Sequence, residues 1–328
     1  MKKNICVTYF IIVFFLFSTI NSWGFSKENI PYTIKIGLRY GDTSASIVNL
    51  HSNTGFEFGY YRDNIFNVLL NFMDEEDLII RKDTYYMKVN DSFIEVFPEI
   101  KNDMNFSQLK GPYHVEVGDG FSDKTEMLSY LEKLKENNNV EFYPVYDNGW
   151  RIWTGLFNSQ SEAESFINIH QKIDDKNLKV VNPNNKRIQV LNKKGNIVLI
   201  YDSSSQDFHF APFLEKDSDQ IITVDGKRFR GEIIFKRYQD SDMTVINYLT
   251  LQEYLYGVLP KEMSADWPLE ALKAQAVAAR NYAVANINKH SNHGFDLCGT
   301  IHCQVYGGYD VEKPRSNMAV DATDGKLL

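Results

Sequence analysis

The stretch that decides the fold begins where the chain changes from strand to helix, and it reads Leu249-Thr-Leu-Gln-Glu-Tyr-Leu-Tyr-Gly-Val-Leu-Pro-Lys-Glu-Met263, then Trp267-Pro-Leu-Glu-Ala-Leu-Lys-Ala-Gln-Ala-Val-Ala-Ala-Arg280. A capping box opens the first part and predicts a short helix that stops before Pro260. Pro268 suits the first turn of a second, long helix, which we expect to reach about residue 288. The many alanines of this second helix allow another element to approach it closely.

Upstream of this stretch the chain is rich in β-strand patterns. Apolar and polar residues alternate at residues 32–38, and further strands are predicted at residues 47–50 and 85–97. Five more are predicted at residues 188–191, 197–200, 221–224, 231–235 and 243–246. We assign residues 32–100 to a β-rich N-terminal region without a recognisable chemical site.

Residues 111–183 form a separate predicted unit. Strand and helix patterns follow one another in the order strand, helix, strand, strand, helix, strand. A turn typical of hairpins, Asp147-Asn148-Gly149, joins the middle strands, and Ser159-Gln-Ser-Glu162 has the spacing of a second capping box. The expected unit is a small βαββαβ sandwich with both helices on one face of its sheet.

This unit resembles a SPOR (sporulation-related repeat) domain in its segments Val115-Glu-Val-Gly118, Tyr143-Pro-Val-Tyr146 and Gly149-Trp-Arg-Ile-Trp-Thr-Gly-Leu-Phe157. The resemblance implies binding of peptidoglycan glycan strands that have lost their stem peptides. The residues then expected to contact sugars are Tyr143, Tyr146, Trp150, Arg151 and Trp153. The alternative is that these aromatic residues fill the core, because strand periodicity lets at most half of them face a ligand.

Composition and the N-terminus indicate an exported protein of two or three domains. The chain has 328 residues, 43% of them hydrophobic, and its net charge of -8 argues against nucleic acid as a partner. Lys2 and Lys3 precede an apolar run over residues 7–20, which predicts a signal peptide at residues 1–24. An uncleaved membrane anchor is the alternative, although the run is short of the ~20 residues that a spanning helix needs.

Glu262 is the candidate acid of the deciding stretch. It lies on the predicted turn between the two helices, beside Leu259, Met263 and Trp267. Apolar neighbours disfavour the charged form of a carboxyl group, and a protonated carboxyl suits a general acid. Taken alone, Glu262 could equally be a solvated glutamate or a cap of the following helix.

Residues 251–258, 260–263 and 267–280 closely resemble the stage II sporulation protein D (SpoIID/LytB) family, and the likeness extends to residues 224–231 and 303–306. The resemblance implies an α+β fold in which a β-rich domain with the long Ala-rich helix occupies residues 186–328. The strands at residues 32–58 could form the start of this domain, in which case the SPOR-like unit is an insertion. Family members continue beyond the position of Leu328, so we expect a C-terminally truncated domain whose activity is open.

The resemblance further implies a lytic transglycosylase, which cleaves denuded glycan strands. Glu262 would protonate the oxygen between N-acetylmuramic acid and N-acetylglucosamine and then accept a proton from the muramoyl C6 hydroxyl, which closes a 1,6-anhydro ring. One carboxylate serves both steps, whereas most glycoside hydrolases need two. Arg280 matches a functional position of the family and would bind a substrate oxygen or orient Glu262; a salt bridge with a nearby acid is its alternative role.

A structural zinc ion is the expected cofactor, although the chemistry itself requires none. Some family members bind zinc through cysteine and histidine in this region, and the ligands expected here are Cys298, Cys303, His293 and His302. In an exported protein a disulfide between the two cysteines is the main rival, and free thiols are the third alternative.

The expected partners are peptidoglycan glycan strands and an N-acetylmuramoyl-L-alanine amidase, which removes the stem peptides first. The expected location is the cell wall or the outer face of the cytoplasmic membrane, and the expected process is sporulation or septal wall remodelling. The rival function is a non-catalytic, glycan-binding amidase enhancer.

Overall fold

The computed structural model describes residues 30–89, 92–97, 109–213, 220–238 and 241–328. The predicted signal peptide lies outside these residues. Within the described ranges, no helix is both long and apolar enough to cross a membrane.

One sheet has seven strands and joins the two ends of the chain. Their spatial order is β21 (Leu297–Cys298), β1 (Thr33–Arg39), β20 (Met243–Thr250), β19 (Glu232–Arg237), β16 (His209–Pro212), β3 (Phe56–Arg62) and β4 (Ile65–Phe72). Strand β1 pairs antiparallel with β20, with Ile34 opposite Leu249. The N-terminal strands and the strands after residue 186 therefore fold together.

A second sheet has eleven strands, in the order β12 (Lys172–Ile173), β13 (Lys176–Val181), β9 (Tyr113–Val117), β11 (Trp150–Phe157), β10 (Phe142–Tyr146), β15 (Ile197–Asp202), β14 (Arg187–Asn192), β5 (Asp77–Lys82), β2 (Ile47–His51), β17 (Ile221–Val224) and β18 (Lys227–Arg230). A small sheet contains β7 (Ser92–Glu95), β6 (Tyr86–Val89) and β8 (Leu109–Lys110).

The element order predicted for residues 111–183 is present. It runs β9, α1 (Lys124–Asn137), β10, β11, α2 (Gln160–His170) and β13, with the short β12 before the last strand. Asp123 caps α1 and Ser159 caps α2, because each side chain accepts a hydrogen bond from a backbone N–H of the first turn. However, the sheet of this unit continues into the rest of the molecule. Strand β10 pairs in parallel with β15, which places Val145 opposite Ile200.

A buried charged cluster connects this unit to the rest of the eleven-stranded sheet. The Asp83 carboxylate lies 2.9 Å from Arg187 Nε and 3.1 Å from His114 Nε2, and it accepts a hydrogen bond of 2.7 Å from Gln189. Burial alone would raise the pKa of Asp83, but the charges of His114 and Arg187 hold it at about 2. The sheet bends so that β9 and β14, which are not neighbours in it, meet through this cluster.

Three helices cover one end of the molecule: α3 (Leu251–Glu262), α4 (Leu269–Ala285) and α5 (Pro314–Asp321). The predicted capping box of Thr250 and Glu253 opens α3. The prediction that this helix stops before Pro260 is wrong, because proline removes only its own N–H and Met263 N–H still donates to Leu259 O at 3.0 Å. Helix α4 begins after Pro268 and ends a few residues before the predicted position.

Replacing Asp83 by Asn leaves the buried Arg187 without its carboxylate, so we expect the free energy of unfolding to fall by about 3–5 kcal/mol in urea denaturation. Since the folded-state pKa is depressed, this stabilisation is complete above the ordinary value of 3.8 and disappears as the pH falls through about 2. The matched control is Asp174→Asn, which breaks an exposed pair with Lys133 and should cost at most about 1 kcal/mol. Equal losses in the two variants would contradict this account of the cluster.

Candidate functional site

Glu262 is the last residue of α3 and lies on the wall of an open groove. The groove has a volume of about 670 Å³ and runs between the end of α3, the loop to α4 and the 3₁₀ turn Tyr309–Val311. Glu262 is exposed, so the apolar enclosure expected from its sequence neighbours is not present. The groove does offer space for a ligand beside the carboxylate.

The Glu262 carboxylate has no hydrogen bond or ion pair with any residue that the structure describes. The other acids of the groove are engaged: Asp310 forms an ion pair of 2.6 Å with Arg228, and Asp266 lies 3.3 Å from the Ser264 hydroxyl. Lys261 and Lys313 also line the groove and supply positive charge. Glu262 is therefore the carboxylate that is free to exchange a proton with a ligand.

Helix α5 holds the loop between α3 and α4 in place. Arg315, at the start of α5, donates hydrogen bonds of 3.2 Å to the backbone carbonyls of Ala265 and Asp266. Trp267 follows in the same loop and is 54% exposed. Nothing in the sequence indicated that Trp267 is exposed, because its apolar neighbours suggested only a packing role.

The structure does not bring Arg280 to Glu262. Arg280 is only 1% exposed, and its guanidinium donates hydrogen bonds of 3.3 Å to Gln252 Oε1 and to Val320 O. Gln252 and Glu262 are near opposite ends of α3, about 15 Å apart at the rise of an α-helix. Arg280 ties α3, α4 and α5 together, borders a different cavity at the start of α3, and has a pKa lowered by burial.

The aromatic residues predicted to bind sugars do not form an open surface. Tyr143, Trp150 and Trp153 are buried, with Trp153 only 1% exposed. Trp153 stacks on His114 with the ring centroids 5.3 Å apart, and the Arg187 guanidinium lies 5.0 Å from its ring. The charged cluster around Asp83 thus occupies the sheet face on which we expected glycan.

The remaining two predicted sugar contacts are half-buried and already have partners. Arg151 forms an ion pair of 2.7 Å with Glu116, and Tyr146 packs edge-on against Trp150 and Phe208. Neither side chain is arranged to stack on a sugar ring.

Four ligand-type side chains come together beyond the end of α4: His290, Cys298, His302 and Cys303, whose ligand atoms all lie within 4.8 Å of one another. Both cysteines are free thiols rather than a disulfide. Cys303 Sγ lies 3.4 Å from His290 Nε2 and 3.6 Å from His302 Nδ1, and Cys298 Sγ lies 3.7 Å from His302 Nδ1. Zinc bonds of about 2.3 Å to sulfur and about 2.0 Å to nitrogen put tetrahedral ligands about 3.5 Å apart, so the set fits a zinc ion.

The histidine that joins His302 in this cluster is His290 and not His293, which we had expected. His290 forms an isolated β-bridge with Phe295, and this bridge places its ring beside Cys303. His293 instead stacks on Phe295 and contacts Tyr40. The sequence offered both histidines at similar distances from the cysteines, so it could not choose between them.

The surroundings of the cluster favour a thiolate at Cys298, whereas burial raises the pKa of Cys303. Burial would raise the pKa of Cys298, but hydrogen bonds with Thr300, Tyr40 and His302 lower it to about 6. A thiolate is the form of cysteine that binds metal.

The comparisons with known proteins concern mainly the C-terminal part of the chain. Residues 239–328 match the sequence model of the SpoIID family, described as stage II sporulation protein. The segment that carries Glu262 is SpoIID-like. This match does not reach residues 111–183, so the resemblance to a SPOR domain stays a prediction.

Curated relatives agree with the family match. An uncharacterised protein of Brachyspira hyodysenteriae is 47% identical over 31% of this chain and 28% of its own length. The amidase enhancer of Bacillus subtilis is 40% identical over 33% of this chain and 14% of its own length. Stage II sporulation protein D of Bacillus subtilis is 33% identical over 28% of this chain and 31% of its own length.

The chain thus spans less than a third of the length of each of these relatives. No solved structure matches the chain.

The contacts of Arg280 predict a structural role. We expect Arg280→Ala to lower the free energy of unfolding by about 2–4 kcal/mol, because several buried partners lose a charged donor. Glu262→Gln is the control and should change it by less than about 0.5 kcal/mol, since Glu262 is exposed. An Arg280→Ala variant that unfolds like the wild type in urea but loses glycan cleavage would instead show that Arg280 acts on the ligand.

Proposed function

We propose that this protein cleaves denuded peptidoglycan glycan strands as a lytic transglycosylase and that Glu262 is its acid and base. The observation that carries the proposal is the free carboxylate of Glu262 at the wall of a groove, in a segment that matches SpoIID. Glu262 gives its proton to the glycosidic oxygen as the bond to the muramoyl C1 breaks. It then takes the proton of the C6 hydroxyl, whose oxygen forms the new bond to C1, so no water is consumed.

The groove supports the other requirements of this reaction. Trp267 is exposed and directly follows Asp266 of the groove wall, so it offers an aromatic face on which a sugar ring can stack. Lys261 and Lys313 are suited to the lactyl carboxylate that muramic acid exposes once its stem peptide is removed. We therefore place the muramoyl unit in this groove.

The names of two relatives support a proposal for the biological setting. One of them is named an amidase enhancer and another a sporulation protein. We propose that the chain acts outside the cytoplasmic membrane in cell-wall remodelling, after an N-acetylmuramoyl-L-alanine amidase has removed stem peptides. The buried aromatic residues of the SPOR-like unit give it no part in holding glycan on the sheet face that we had expected.

We also propose that His290, Cys298, His302 and Cys303 hold a structural zinc ion. The ion would join the loop after α4 to the segment that leads to Tyr306, which packs against α3. Zinc has no step in the cleavage, since Glu262 performs both proton transfers.

The test of Glu262 uses amidase-treated glycan and mass spectrometry of the products. Wild-type protein should release fragments with 1,6-anhydro-muramoyl ends, and Glu262→Gln should reduce their rate of formation at least about a hundredfold, since general acid–base catalysis contributes that much. Asp266→Asn, at another carboxylate of the same groove, is the matched control and should keep most of the activity. If wild type binds glycan without forming anhydro ends, the chain is an amidase enhancer and not an enzyme.

The zinc prediction is checked by metal analysis of protein purified without chelator. We expect about one zinc ion per chain, and its loss in Cys298→Ser and His290→Ala. His293→Ala should retain zinc, because His293 lies outside the cluster. Retention of zinc by His290→Ala and its loss from His293→Ala would show that the ligand set is the one expected from the sequence.

A further inference from the structure

A second cavity lies on the face of the seven-stranded sheet that is turned away from the main core. It has a volume of about 490 Å³. We call it the tyrosine pocket, after Tyr32, Tyr61 and Tyr248, which line it together with Glu232. It also touches Thr250 at the start of α3, whereas Glu262 is at the end of the same helix. The two sites are therefore separate, about 18 Å apart along the helix.

The floor of the tyrosine pocket is a buried carboxylate with fixed partners. Glu232 is 7% exposed, and its Oε1 accepts a hydrogen bond of 2.7 Å from the Tyr61 hydroxyl. Its Oε2 lies 2.7 Å from Nδ1 of His209, which is also buried. The His209 ring packs edge-on against Tyr61 and Tyr248, with centroids 5.0 Å and 4.8 Å away. These contacts hold the carboxylate in one orientation at the base of an aromatic cavity.

This arrangement has no role in the proposed cleavage. Glu232 and His209 lie outside the matched residues 239–328 and on a different face from the groove of Glu262. Burying a carboxylate is costly unless it is paired and hydrogen-bonded. The contacts with Tyr61 and His209 offset this cost, and they hold the carboxylate at the base of an open cavity, where it acts on any ligand that enters.

The lining restricts the chemistry of that ligand. Aromatic walls with a few convergent polar groups are typical of sites for small organic ligands, and tyrosine faces suit a sugar ring. Gln220 and Asn64 add neutral hydrogen-bonding groups at the rim. Among the described residues, the lining includes Glu232 and Glu253 and neither lysine nor arginine. Like charges brought together cost several kcal/mol, and the His209 ring that pairs with Glu232 is buried and is not part of the lining, so the pocket disfavours an anionic ligand.

We propose that the tyrosine pocket binds the N-acetylglucosamine unit of the glycan and rejects N-acetylmuramic acid. N-acetylglucosamine is neutral, whereas the lactyl carboxylate of a denuded muramoyl unit would meet Glu232. The identity of the polymer rests on the proposed function. Because the two sugars alternate along the strand, a pocket that accepts only one of them sets which glycosidic bond reaches Glu262.

The test uses the full chain and chitotetraose, a neutral oligomer of N-acetylglucosamine that contains no muramic acid. Isothermal titration calorimetry should show binding, and Tyr32→Ala should weaken it about tenfold through the loss of one aromatic wall. Tyr32 is 81% exposed, so its replacement leaves the fold intact. Phe97→Ala removes another exposed aromatic side chain, outside the pocket, and should leave the affinity unchanged.

The selectivity is tested with a glycan oligomer that carries free lactyl carboxylates and has the same number of sugars. To keep the groove of Glu262 from contributing to the difference, both ligands are compared in wild type and in Glu232→Gln, with circular dichroism to verify folding. The ratio of the affinity for chitotetraose to the affinity for the lactyl-bearing oligomer should be about tenfold higher in wild type than in Glu232→Gln, because the variant lacks the repelling charge.

Two results would overturn the proposal: no binding of chitotetraose by wild type, or equal binding by wild type and Tyr32→Ala. Either result leaves the cleavage by Glu262 standing if anhydro products still form. Conversely, chitotetraose binding that depends on Tyr32, without anhydro products, would contradict the proposed cleavage and support the proposed role of the tyrosine pocket.

Discussion

The close approach of α3 to the segment after Cys303 is the constraint on which the candidate site depends. Gly257 faces the Tyr306 ring so closely that a Cβ atom at this position would lie 2.4 Å from it. The carbonyl of Gly257 accepts a hydrogen bond of 3.0 Å from Gly307 N–H, and the Tyr306 hydroxyl donates one of 2.9 Å to Asn247. Helix α3 carries Glu262, and the segment after Gly307 forms the facing wall of its groove, so this contact sets the width of the groove.

The same segment links the groove to the cysteine–histidine cluster. Tyr254, on α3, donates a hydrogen bond of 3.3 Å to Gln304, which directly follows Cys303. A metal ion at the cluster would hold Cys303 in place and, through Gln304 and Tyr306, the position of α3. In the proposed function, a metal ion would thus support the groove without contacting the substrate.

Local features of the fold could be predicted from the sequence, because they depend on residues close together in the chain. The capping boxes at Thr250 and at Ser159 each open a helix, since side chain and backbone partners are three residues apart. The sequence predicted Glu262 on a turn between two helices, whereas it is the last residue of α3, and no sequence pattern indicated the groove beside it.

The pairing of strands that are far apart in the chain could not be predicted from the sequence in this way. The parallel contact of Val145 with Ile200 leaves no periodic signal in either strand, yet it extends the sheet beyond the predicted unit. The burial of Trp153 follows from the same cause, because Arg187 reaches it from a strand of the enlarged sheet. For a similar reason the spacing between Glu262 and Arg280 could not show that Arg280 points to the opposite end of α3.

The most direct measurement of the central claim is a crystal structure of the Glu262→Gln variant with a denuded glycan oligosaccharide. The account predicts that the amide of the replaced side chain lies within hydrogen-bonding distance, about 3 Å, of a glycosidic oxygen that follows a muramoyl unit. An oligosaccharide bound elsewhere, with the groove between α3 and Tyr309–Val311 empty, would contradict it.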